Sequence, residues 1–134
     1  MIERLSHVTI IVRDIDEALD FYTKKLGFEK ITDSSIGPGM RWVTVAPKGQ
    51  KDMEIVLQQP YPEMQGEAET KEMLNLIGKS AVWVFKVDSC QKTCDELRAK
   101  GVRIVREPEV LPFGIEAIFA DLYGNQFILL EKLV

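Results

Sequence analysis

"SHVTIIVRD" (residues 6–14) and "SAVWVFKVD" (residues 80–88) lie 74 residues apart and share one outline. Each opens on serine, runs through β-branched and aromatic residues, and closes on aspartate, with Val8 over Val82 and Asp14 over Asp88. Runs of that kind read as strands. The closing aspartates read as N-caps for helices that follow. The first copy holds His7, the single histidine of the chain, and the second has Ala81 in its place.

The repeat extends outward without a gap. Gly27 falls on Gly101 and Ile31 on Val105. These glycines end two helical stretches, "IDEALDFYTKKLG" and "SCQKTCDELRAKG", the first with Ala18, Leu19, Tyr22 and Leu26 at helical spacing. The two helices match less well than the strands, since Leu19 falls on Thr93, Thr23 on Leu97 and Leu26 on Lys100. A short strand follows each glycine, "FEKIT" and "VRIV". Two more strands then close each half: "RWVTVAP" with "DMEIVLQQ", and "GIEAIFAD" with "NQFILLEK". The fold expected is α+β, two β-α-β-β-β modules, each with a curved mixed sheet, forming a cup with helices outside. One domain would span residues 1–134, with a first module at 1–59 and a second at 80–134. The linker, 60–79, begins with turn residues and carries a short helix at 67–76. "DSSIGPGM" (33–40) and "REPEVLPFG" (106–114) read as exposed loops at a pocket rim.

Composition narrows the partners. Seventeen Lys and Arg against twenty-one Asp and Glu leave a net charge of −4, the wrong sign for nucleic acid or an anionic membrane. No apolar run approaches a membrane span, and "MIERLSHVTI" lacks the apolar core of a signal peptide. A cytoplasmic protein is expected. Cys90 and Cys94, four apart on a helix, share a face with parallel side chains and read as reduced thiols. One histidine leaves no Ser-His-Asp set, and the glycines form no phosphate loop.

The doubled module, with "HVTIIVRDIDEALDFYTKKLGFE" at its start and "FADLYGNQFILLEK" at its end, resembles the vicinal oxygen chelate superfamily. That group comprises glyoxalases, bleomycin-resistance proteins and extradiol dioxygenases. The second motif is similar to the family's "DPxGN" turn, with Leu122 where proline is usual. The resemblance implies a homodimer and four metal-ligand positions on the first and last strands of the modules. Carried over, these fall on His7, Glu54, Ala81 and Ile128; the offset of 74 gives the same pairs.

A Lewis-acid metal needs about three protein ligands. His7 and Glu54 offer two, while Ala81 and Ile128 offer none. Glu116, on the preceding strand, is a candidate replacement. The expectation is therefore a binding protein without a resident cofactor, resembling the bleomycin-binding branch and holding a small, partly apolar molecule in the cup. The alternative is a lyase or dioxygenase in which His7 and Glu54 organise a divalent metal (Ni, Zn, Mn or Fe), or in which Glu54 acts as general base. Strand alternation groups His7 with Thr9, Glu54 with Val56, and Ala81 with Trp83 and Phe85. The residues expected to touch the ligand are His7, Thr9, Arg41, Val56, Ala81, Trp83 and Ile128. For His7 itself three roles stay open: metal ligand, ligand contact, or satisfied core residue.

Overall fold

The structure, a computed structural model, describes residues 1–132. It divides into two compact units, Met1–Ile77 and Gly78–Val134. In the first, β1 (His7–Ile11) leads into α1 (Ile15–Asp20) and a π-helical segment (Phe21–Lys25). Then come β2 (Glu29–Gly37), β3 (Met40–Ala46) and β4 (Glu54–Gln58), followed by two short helices, α2 (Pro62–Gln65) and α3 (Glu67–Leu74). The second unit repeats the scheme with β5 (Val84–Lys86), α4 (Cys90–Ala99), β6 (Arg103–Leu111), β7 (Gly114–Ala120) and β8 (Gln126–Lys132). The fold is α+β, with two four-stranded mixed sheets ordered β1-β4-β3-β2 and β5-β8-β7-β6. In each, the first and last strands pair in parallel and the others antiparallel.

Local chemistry accounts for the elements. Asp14 caps α1, its carboxylate accepting from the Glu17 amide at 2.9 Å. In the second unit the cap is not Asp88 but its neighbour Ser89, whose hydroxyl accepts from the Lys92 amide at 3.1 Å. Gly27 and Gly101 end the helices at φ 75° and 81°, backbone angles that side chains resist. The expected loops at 33–40 and 106–114 prove to be mostly strand. Both belong to polar edge strands, β2 running to Gly37 and β6 to Leu111. An edge tolerates Pro108, which sits at a register break between Arg106 and Glu109.

The core of the first unit is built from Ile10, Val12, Ile15, Ala18, Tyr22, Val43, Val45 and Leu57, all at most 2% exposed. The second unit packs Phe119, Phe127 and Leu129 with Cys90 and Cys94 of α4. Both thiols are buried and free, and burial pushes both up, away from the reactive thiolate.

The two units match strand by strand, but not with one offset. The β2–β3 and β6–β7 hairpins share a register break at Ile31 and Val105, so Glu29 and Ala46 correspond to Arg103 and Ala120, 74 residues on. The helix starts differ. The Ile15 amide donates to Gln59 Oε1 at 3.0 Å, and the Cys90 amide donates to Glu131 Oε1 at 2.8 Å. That equivalence sets 75 residues between the helix starts and 72 between the last strands. Strand pairing agrees: His7 lies opposite Glu54, 47 residues apart, whereas Val84 lies opposite Ile128, 44 apart. The extra residue in the first helix is taken up in the π-helical segment, where the Leu26 amide reaches back five residues to the Phe21 carbonyl.

Candidate functional site

A shift of one residue turns a strand's side chains over. The sequence comparison, held at 74, set Ala81 and Ile128 as the counterparts of His7 and Glu54. The pairing of Val84 with Ile128, continued two residues toward the start of β5, makes them Val82 and Gln126. Exposure follows the register: Val82 is 78% exposed and Val84 56%, while Ala81 is 7% exposed. Trp83 and Phe85 point the other way, into an aromatic cluster. Trp83 stacks on Phe127 with ring centroids 5.3 Å apart and planes 17° apart. Phe85 meets Phe127 edge-on at 5.5 Å and lies against Phe119 at 6.3 Å. The geometry therefore makes Trp83 part of the second unit's packing, with Ala81 buried beside it in sequence. Ile128 lies on the opposite face of the sheet, next to Leu130 and across from Ile118.

In the first unit, four of the expected residues come together. Direct pairing of His7 with Glu54 and Thr9 with Val56 places all four side chains on one face. His7 Nε2 is 3.7 Å from Glu54 Oε2. The other carboxylate oxygen accepts from the Thr44 hydroxyl at 2.6 Å, and the Ser6 hydroxyl lies 2.8 Å from His7 Nδ1. Thr44 is fully buried, whereas the side chains of His7 and Glu54 keep 38% and 31% of their exposure. A buried hydroxyl thus fixes one edge of a carboxylate whose other edge meets the imidazole and solvent. Such a pair can accept hydrogen bonds from a ligand, or take up a proton.

Arg41 lies on the reverse face. Its guanidinium donates to both carboxylate oxygens of Asp33, at 3.2 and 3.0 Å, and to Asp16 of α1 at 2.7 Å. Its role there is to tie the β2–β3 hairpin to the helix. The Asp33 carboxyl is held below the usual carboxylate range, chiefly by the Arg41 hydrogen bonds. Glu116 does share a face with Ile128 and Leu130, but it is engaged by Arg106.

Two residues of the His7 face escaped the sequence reading. Trp42, 37% exposed, has its ring centroid 6.0 Å from that of His7. Thr44 follows it by two. Alternation on "RWVTVAP" groups Trp42 with Thr44, but only the pairing of Thr44 with Val56 joins them to Glu54.

The resemblance stated above brings with it a divalent metal. On this face His7 and Glu54 are the available donors, and the described residues hold no cluster of three His, Cys, Asp or Glu side chains. Two donors fall short of the set a catalytic metal uses, so no chemical step is assigned to one. The described residues also contain no helix long and apolar enough to cross a membrane.

Comparison with known proteins places the chain. Residues 4–129 match the model of the Glyoxalase/Bleomycin resistance protein/Dioxygenase superfamily. A protein of Shewanella frigidimarina is 32% identical over 98% of this chain and 95% of its own length. Lactoylglutathione lyase of Escherichia coli O157:H7 is 26% identical over 96% of this chain and 93% of its own length. Among solved structures, UcmS2 superposes with a TM-score of 0.87 at 44% identity, covering 98% of this chain and 100% of its own. TnmS3, an antibiotic binding protein from Streptomyces sp. CB03234, superposes with a TM-score of 0.76 at 29% identity, covering 98% and 97%. The chain belongs to the Glyoxalase/Bleomycin resistance protein/Dioxygenase superfamily.

Proposed function

We propose that this protein binds a small, partly apolar molecule through the sheet face that carries His7, Thr9, Glu54 and Val56, without a preformed catalytic metal. The observation that carries the reading is the contrast between two equivalent positions. The first unit presents an imidazole and a carboxylate held by Thr44; the register gives Val82 and Gln126 at the same places in the second. A face with one polar corner and apolar neighbours suits orientation of a hydrophobic ligand by a few hydrogen bonds. The antibiotic binding protein TnmS3, similar in fold and at 29% identity, supports binding of a small molecule. In this reading the protein acts in the cytoplasm as a homodimer, and the apolar surface at Val82 and Val84 is covered when the second copy is present.

The rival is a metal-dependent lyase or dioxygenase built on His7 and Glu54. It draws on the 3.7 Å approach of those side chains and on the 26% identity with lactoylglutathione lyase. Thermal-shift titration with Ni, Zn, Mn, Co and Fe(II), on wild type and Glu54→Gln, separates the two. The binding reading expects no metal-specific rise in melting temperature that Glu54→Gln abolishes. Such a rise would overturn the metal-free reading and favour the enzyme.

A further inference from the structure

We infer that Trp42 is the stacking platform of the His7–Glu54 face and that the ligand is a flat aromatic molecule carrying a hydrogen-bond donor. The inference rests on the binding reading above and narrows its ligand class. The chain has two tryptophans, and they differ in what surrounds them. Trp83 is satisfied within its own unit by Phe127 and Phe85. Trp42 has one aromatic neighbour among the ring pairs of the described residues, His7 at 6.0 Å, with planes inclined at 59°. It stands on the same face as Glu54, joined through Thr44, and keeps 37% of its surface exposed.

Those three side chains make two kinds of contact side by side. The indole offers a broad π-surface, on which a planar ring stacks with a preference for offset or tilted geometry. The tilted His7 ring offers a second aromatic edge rather than a continuation of the same plane. Glu54 places a carboxylate beside them, one oxygen already accepting from Thr44 and the other 3.7 Å from His7 Nε2, beyond an ordinary hydrogen bond. That second oxygen therefore has room to accept a proton shared by a phenol or amine. A saturated ring of equal size would fill the space without the stacking, and an ether would leave the carboxylate oxygen without a donor. Fixed on a strand rather than a loop, the indole pays little ordering entropy on binding.

The test uses 2-naphthol as probe, with decahydro-2-naphthol and 2-methoxynaphthalene as controls. Two indole N–H signals report binding in 1H–15N spectra of the whole chain, assigned with Trp42→Phe. Expected are a titrating shift of the Trp42 signal, a much smaller one at Trp83, and weaker binding of the saturated analogue by about tenfold. Trp42→Ala loses a similar factor, Trp42→Phe retains most of the affinity, and Glu54→Gln erases the preference for the naphthol over its methyl ether. If both bicyclic alcohols bind alike and Trp42→Ala binds as wild type, the stacking inference falls while the binding reading stands. If neither alcohol perturbs this face at millimolar concentration, both fall.

Discussion

Trp83→Ala is the substitution that most directly tests the register assigned to the second unit. The ring stacks on Phe127, which is fully buried, and meets Phe85 edge-on with centroids 6.4 Å apart. Truncating a buried aromatic residue to alanine costs about 3–5 kcal/mol, combining lost transfer energy with the cavity left behind. Trp83 is half-buried, which places the expectation at the lower end, about 3 kcal/mol. Unfolding entropy near 2.1 cal/mol/K per residue converts this, for a chain of 134 residues, into a fall of about 10 °C in melting temperature. The control is Val82→Ala: at 78% exposure its effect should stay within about 0.5 kcal/mol. Urea denaturation followed by far-UV circular dichroism gives both numbers, and unchanged slopes show that only stability has moved. A Trp83→Ala cost below about 1 kcal/mol, together with a larger cost for Val82→Ala, would refute the register. Trp83 would then belong to the face of Ile128, as the uniform 74-residue offset implies, and Val82 and Gln126 would no longer be the counterparts of His7 and Glu54 in the repeat.

Asp33 gives a pH signature whose sign follows from its partner. Hydrogen bonds from Arg41 lower its folded-state pKa, so its stabilising contribution is complete above the unfolded value of about 3.9 and fades as pH falls through the folded value. Asp33→Asn should therefore lower the melting temperature by a constant amount above about pH 5, with the gap to wild type closing below about pH 4; a gap that widens on acidification would contradict this. Gly78 makes a separate point about backbone: at φ 82°, a Cβ there would lie 2.3 Å from the Tyr123 carbonyl oxygen. Gly78→Ala should cost about 1–3 kcal/mol by thermal denaturation. Gly49→Ala, at φ 88° with no atom near the added carbon, isolates the share due to backbone angle; equal losses at both would mean that the Tyr123 contact is not felt.

Much of this fold was legible because strands and glycines leave strong local marks. "RWVTVAP", "DMEIVLQQ", "GIEAIFAD" and "NQFILLEK" each contain a strand, and Gly27 and Gly101 end their helices where the pattern puts them. The association of His7 with Glu54 came from the family resemblance, and the parallel register of β1 and β4 sets the two residues side by side. Arg41 was misplaced for a simple reason. It neighbours Trp42, and one residue along a strand separates the face of His7 and Glu54 from the side that meets Asp16.

The register of the second unit was hidden by one extra residue in the first unit's helix. Counted at 74, the two helices disagree: Leu19 meets Thr93, and Thr23 meets Leu97. Counted at 75, as their hydrogen bonds require, Ile15 meets Cys90, Leu19 meets Cys94 and Tyr22 meets Leu97. Five of those six side chains are buried, and the sixth, Leu19, is half-buried. The agreement at Gly27 and Gly101 returns to 74 only because the π-helical turn absorbs the extra residue before the helix ends. The mismatched helix was thus the visible trace of the insertion. A π-turn keeps helical composition and shifts the buried stripe by one position, so a comparison of residue types sees a weak repeat where the backbone has a strong one. The strand ahead of that helix inherits the shift in full. There one residue decides whether Val82 or Trp83 shares the face of Ile128, and the strand's own apolar sequence carries nothing to choose between them.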